Sequence, residues 1–329
     1  MPKGHTTAFV ALATTVALLA SACGGSSDPE IPPSGTKGSG DLDFGNAETV
    51  AADRAGAPNP SSVPPEVTAA CAPEKSPTIS AIKKAGALAW GIGISPPFGF
   101  TGSSSRWQGV DAESAVELAG ILGVKPNIVA YDYSVMTTAL QSGKADIVGA
   151  QLFDTPERRQ AIDFSVPYYK SGQVYYVLKD SRFQTIEDLD SPAVKFVFGT
   201  GTAQGDLAKK YSPKAKQQAV ALQGQLIPYQ FLSTGRADAS MGEAAAYPVL
   251  KQKFRNPPLA AIGKNGRVAT SLPTAGESLD PFDVAFGLPK GDAGWKGCVD
   301  AWVTWGSQDG GLIAERVDWW LTNQTKAGG

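Results

Sequence analysis

The 329-residue chain contains one histidine, three cysteines and three methionines, and only 18% of its residues are charged. Each scarcity excludes something. The histidine is His5, inside residues 1–23, MPKGHTTAFVALATTVALLASAC. That stretch starts basic, runs uncharged and apolar from about Ala8 to Ala20, and ends in small residues, as a secretory signal does. It is too short for a spanning helix. Its removal leaves a mature protein without histidine, which excludes Ser-His-Asp and Cys-His catalysis and histidine metal centres. No metal and no cofactor are expected. A net charge of −2 gives no basic surface for nucleic acid.

What is present begins at Cys23. The ending LLASAC resembles a bacterial lipoprotein cleavage box, with Cys23 as the lipidated first residue; a plainly secreted protein cleaved nearby is the alternative. With Cys23 so used, Cys71 and Cys298 remain as an even pair in an oxidising compartment. They are expected to be bridged, two separate buried thiols being the alternative. Residues 24–77 read as a flexible tether, rich in Gly, Ser, Pro, Ala and Asp to about Pro73 and without apolar periodicity.

From Thr78 onward the chain alternates short helices and strands, the pattern of an α/β layered domain. TISAIKKAG predicts a helix ended by Gly86, ALAWGIGI a strand, residues 112–122 a helix ended by Gly123, and NIVAYDY a strand. SVMTTALQSG follows as a short helix with Ser134 as N-cap and Gly143 as stop, then the strand ADIVGAQ. The pattern restarts near Thr185, and ALQSGKADIVGA (139–150) is echoed by FLSTGRADASMG (231–242). Two similarly built units follow, joined by the strand-like stretches SGQVYYVLK (171–179) and PFDVAFGLPKG (281–291). Trp295, Cys298, Val299, Trp302 and Val303 share one helix face, a core stripe rather than a ligand site.

The stretch FDTPERRQAIDFSVPYYKSG (153–172) poses a chemical question. Thr155 as cap, Pro156 at the first position and Glu157 near the positive end are ordinary helix initiation. Arg158 is not, because a cation in the first turn opposes the helix dipole unless an anion neutralises it. An arginine there is a fork for a carboxylate. Arg159 reads as a surface ion pair. Ser80–Lys83 and Lys170–Gly172 match penicillin-binding signatures by chance, with no S-D-N element between them, and GTGTAQG lacks the lysine of a Walker loop.

This stretch resembles the amino-acid-type (family 3) extracellular solute-binding proteins of bacterial ABC importers, whose pattern is Thr-x-x-Arg followed by Phe-Ser-x-Pro-Tyr. The glutamine-binding protein is a particularly similar member. SPPFGF, QGVDAE, LQSGKAD, GTAQGDLA, TGRADASMGE and GLPKG fit in order over about residues 78 to 320. The resemblance implies a two-lobed periplasmic-binding-protein-like fold of type II with two crossover hinge strands. Lobe 1 would be 78–171 with 286–329, and lobe 2 would be 172–285. It also implies a non-enzymatic, monomeric receptor for a small zwitterion, delivering it to an ABC permease.

By position, Arg158 would hold an α-carboxylate, and Glu243, where the family usually has aspartate, an α-ammonium. Thr202 and Ala203 would close on the carboxylate through backbone N–H groups. Tyr133 would wall the pocket, with Phe98 near the cleft. Three positions depart from the pattern. Phe153 stands for a hydroxyl residue, Gln151 for a small one and Ser95 for an aromatic clamp, so the side-chain preference is not transferable. Two other readings stay open. One is a dehydratase of prephenate or arogenate type using Glu243 or Asp111; the other is a sensory or assembly lipoprotein using the same cleft.

Overall fold

The computed structural model describes residues 62–101, 106–221, 226–268 and 277–322. The signal segment, Cys23 and the tether to residue 61 lie outside them.

Order begins earlier than expected. The segment 65–77, read as tether, contains helix α1 (Pro65–Ala70) and a 3-10 turn (Pro73–Lys75), and Val67 and Cys71 are buried. Six residues cannot hold a helix alone, because nucleation costs more than so few hydrogen bonds return. Tertiary contacts supply the difference. Cys71 is disulfide-bonded to Cys298 across 227 positions, and α1 packs on the helix that carries Cys298, Ala293–Gly306. Ser76 then caps α2 (Pro77–Ala85), accepting from the Ile79 N–H while donating to Asp292 at 2.6 Å.

The first sheet runs β4-β1-β5-β13-β6. Its strands are β1 (Ala87–Ile92), β4 (Lys125–Ala130), β5 (Ile147–Gly149), β6 (Asp163–Phe164) and β13 (Gly287–Leu288). A small ribbon of β2 (Phe100–Thr101) and β3 (Trp107–Gln108) precedes α3 (Val110–Leu122), which Gly123 ends in left-handed conformation. Ser134 is not the cap expected of it. It sits inside a 3-10 turn (Tyr133–Val135) that runs straight into α4 (Met136–Gln141), so the turn occupies the place of a capping residue. Helix α5 (Pro156–Ala161) starts as predicted, Thr155 accepting from the Arg158 N–H at 3.3 Å.

The chain leaves this sheet along β7 (Tyr169–Leu178), whose outer half lies between two other strands of a second sheet. That sheet runs β11-β7-β10-β8-β9, with β8 (Lys195–Gly199), β9 (Lys216–Val220), β10 (Ala239–Glu243) and β11 (Leu259–Ile262). The helices α6 (Ile186–Leu189), α7 (Gln204–Tyr211), α8 (Ile227–Ser233) and α9 (Tyr247–Lys253) complete the lobe. Both faces of β7 are covered, Val174 and Tyr176 in one apolar cluster and Tyr175 and Val177 in another, hence its unbroken apolar run. The return strand β12 (Pro281–Val284) lies antiparallel on the start of β7, Gly172 opposite Pro281, so two hinge strands join the lobes.

Returning, the chain completes lobe 1 with β13, α10 (Ala293–Gly306) and α11 (Leu312–Thr322). Trp295, Cys298, Val299, Trp302 and Val303 are all fully buried on one face of α10. Trp302 stacks on Phe286, which stacks on Tyr168 with ring centroids 4.3 Å apart. The echo between the halves is structural as well. Asp146 takes the Ala89 N–H on its side chain and returns its own N–H to the Ala89 carbonyl; Asp238 does both with Lys195. Each follows a left-handed glycine, Gly143 or Gly235.

Candidate functional site

The carboxyl ends of the parallel strands β1 and β5 in one sheet and β8 and β10 in the other lead into the segments that meet across the cleft, the usual location of ligand sites in α/β sheets. From lobe 1 come Ser95 beyond β1, Asp111 at the start of α3, Gln151 and Phe153 beyond β5, and Arg158 on α5. From lobe 2 come the turn 200–203 beyond β8, Gln173 on β7 and Glu243 at the end of β10.

Arg158 is half-buried. Its Nη1 donates to the Phe153 carbonyl at 3.0 Å, and its Nη2 crosses the cleft to the Gly201 carbonyl at 3.1 Å. No carboxylate lies within ion-pair distance of it among the described residues. Burial lowers its pKa from the usual arginine range, the stress that a bound anion relieves. Arg159 differs as expected: it is exposed and forks onto Asp154 in a surface ion pair.

Glu243 is fully buried. Its Oε2 accepts from Gln151 Nε2 at 2.7 Å and from the Ser171 hydroxyl at 3.1 Å, while Oε1 has no partner among the described residues. Loss of water around the carboxylate pushes its pKa up to about 8, the Ser171 bond opposing. Gln151 is the junction. Its own N–H goes to Asp111 at 3.2 Å, and the Ser95 hydroxyl donates to its side-chain carbonyl. Asp111 also accepts from Tyr168 at 2.6 Å, and burial raises it to about 7.

The remaining expected residues take these places. Tyr133 is buried with its hydroxyl on the Ala150 carbonyl at 3.1 Å. Phe98 is buried against Tyr169, ring centroids 5.4 Å apart. Phe153 turns its ring onto Phe282 of β12 and bridges Val284 through its backbone, so its carbonyl, not its ring, meets Arg158. Thr202 directs both its N–H and its hydroxyl to the Gly199 carbonyl, closing its own turn, and Ala203 caps α7.

Ser171, Gln173 and Gln204 were not anticipated. Gln173 stands opposite Glu243 on the neighbouring strand, and its carbonyl accepts from Gln204 at 3.2 Å. The other amide atom of each glutamine is buried without a partner among the described residues. A signal existed: a serine and a glutamine interrupt the apolar run of a strand buried on both faces, where polar groups are costly without partners.

The cleft thus offers one guanidinium, one carboxylate on the opposite lobe and, among the described residues, one unpartnered amide atom each on Gln173 and Gln204. Among proteins of known role, the chain is 26% identical over 230 residues to the cyclohexadienyl dehydratase of Pseudomonas aeruginosa, covering 68% of this chain and 78% of that one. It is 26% identical over 258 residues to the L-cystine-binding protein TcyJ of Escherichia coli, covering 75% and 88%. Among solved structures, an ancestral amino-acid-binding protein described as a precursor of cyclohexadienyl dehydratase superposes with a TM-score of 0.64. It has 29% identity, and the match covers 74% of this chain and 99% of that one. The family model of the bacterial extracellular solute-binding proteins, family 3, matches residues 88–322, and the chain belongs to that family.

Proposed function

We propose that this protein is a lipid-anchored extracytoplasmic receptor that captures an amino acid or related small zwitterion between its lobes and hands it to an ABC permease. The observation that carries the reading is Arg158, a half-buried guanidinium whose only described partners are two carbonyls, one on each lobe. A ligand carboxylate replaces a carbonyl with a charge-assisted, bidentate partner. The ligand's ammonium goes to Glu243 on lobe 2, so both ends are satisfied only when the cleft is shut, and closure follows from differential affinity. Relatives that bind L-cystine and octopine, and a solved ancestral protein bound to arginine, support the substrate class.

The test is a thermal-shift screen of amino acids and opines. A ligand at 100 times its dissociation constant adds about 2.7 kcal/mol, which melting resolves. Absence of any shift with the whole panel rejects the receptor. Anchoring is tested by Cys23→Ser, which is expected to release the protein from the membrane fraction. Adjacency of permease and ATPase genes separates import from sensing.

One observation favours a second reading. Burial pushes the Glu243 pKa up to about 8, the direction a general acid for dehydration requires, and a 26% identical relative is a dehydratase. Incubation with prephenate and arogenate decides it; formation of the aromatic product overturns the non-enzymatic reading.

A further inference from the structure

Gln151 has a left-handed backbone, φ 48°, and is the one non-glycine residue with positive φ among the described residues. That conformation is unfavourable for an L-residue, whose Cβ crowds the following carbonyl oxygen. It persists because lobe 1 grips the residue twice, Asp111 on its N–H and Ser95 on its side-chain carbonyl. Held so, the amide nitrogen is aimed across the cleft at Glu243, 2.7 Å away. The orientation of the amide follows from its neighbours, since a hydroxyl donates to one end and a carboxyl oxygen receives from the other.

We propose that Gln151 is the specificity-determining residue of this cleft, its amide a tethered stand-in for the cationic group of a ligand at Glu243. This rests on the receptor reading above. A ligand reaches the acid in one of two ways: it displaces the amide from Oε2, or it takes the unpaired Oε1 beside it. Either way, the NH2 of Gln151 fills the space around the cation. A compact primary ammonium fits there; a cation bearing a substituent on nitrogen does not. The amide joins the lobes by itself, so a ligand that displaces it gives up that contact, and ligand affinity is lowered by that amount.

Two variants keep the backbone: Gln151→Gly, which favours positive φ, and Gln151→Asn, which tolerates it and is too short to reach Glu243. The probes are L-glutamine, L-arginine, L-cystine and octopine, measured by calorimetry on the wild type and on both variants. At least one probe is expected to bind one of the variants about tenfold tighter than wild type, the scale of one hydrogen bond to a charged group. Adding Glu243→Gln to that variant is expected to abolish the gain. A gain that survives Glu243→Gln comes from added room and overturns the proposal, as does the absence of a tenfold gain with every probe in the folded variants. If the wild type binds a probe through Arg158 and no variant improves on it, only this inference fails. If neither the wild type nor any variant binds a probe, the receptor reading fails with it.

Discussion

Arg158 and Gly201 lie on different lobes, and the guanidinium of the first donates to the carbonyl of the second at 3.1 Å. The residue proposed to receive the ligand thereby also joins the two lobes. Arg158→Ala is expected to weaken ligand binding by about 2–5 kcal/mol, or about 30-fold or more. Arg158→Lys is expected to weaken it too, since an ammonium cannot reproduce the planar fork. Arg159→Ala removes an exposed pair with Asp154 and should cost under about 1 kcal/mol. Calorimetry on the three variants checks the ranking; equal losses at 158 and 159 would refute it.

The same turn supplies a steric test. Gly201 has φ 78°, and a Cβ there would stand 2.5 Å from Ser134 Cα and 2.6 Å from Ser134 N on the other lobe. Gly201→Ala is therefore expected to prop the cleft open and reduce ligand affinity at least about tenfold, while lobe 2 loses only about 1 kcal/mol to backbone strain. Affinity equal to wild type in the alanine variant would show that the lobes need not approach so closely.

Two buried acids set the response to pH. Asp111 rises from 3.8 to about 7 and Glu243 from 4.5 to about 8, both mainly through burial. The folded state therefore holds more protons than the unfolded state between those limits. Their favourable contribution is complete below the unfolded values and is lost as pH rises through the folded ones. Urea denaturation is expected to show stability falling from pH 5 to pH 8, by up to about 1.4 kcal/mol per pH unit for each group. Asp111→Asn should flatten the slope. Binding of a cationic ligand has the opposite sign, strengthening over the same interval as Glu243 ionises. Stability that climbs from pH 5 to pH 8 would exclude this assignment.

The Cys71–Cys298 bridge closes a loop of 227 positions, for which chain entropy gives about 5 kcal/mol as an upper figure. Cys298→Ala is expected to lower the melting temperature and to free α1 from α10. An unchanged melting temperature in both the variant and the reduced protein would reject the bridge as a source of stability.

Much of the fold was legible because its determinants are local. Gly86, Gly123, Gly143 and Gly235 all end helical segments with positive φ, and the Gly-x-Ala-Asp echo pointed to two similarly built units, whose aspartates the structure shows making the same reciprocal bonds. Arg159, read as a surface ion pair, is paired with Asp154, while Arg158 points to two backbone carbonyls instead. What escaped were relationships set by long-range contact. Helix α1 exists only against α10. The ring of Phe153 found Phe282, 129 positions away, rather than the cleft. Gln151 met Glu243 across 92 positions, a pairing fixed by how the two sheets face each other and by no periodicity in either segment.

The two hinge strands lie side by side, Gly172 opposite Pro281, so the second sheet is built from one unbroken stretch while the first is built from two. Emerging from the amino end, the chain completes the inner module first and leaves the outer one half made. Tyr168 and Trp90 wait for Phe286, Phe286 for Trp302, and Cys71 for Cys298. Assembly is therefore timed by the tail: a chain halted before Phe286 carries Arg158 and Glu243 yet has no finished wall on which to close.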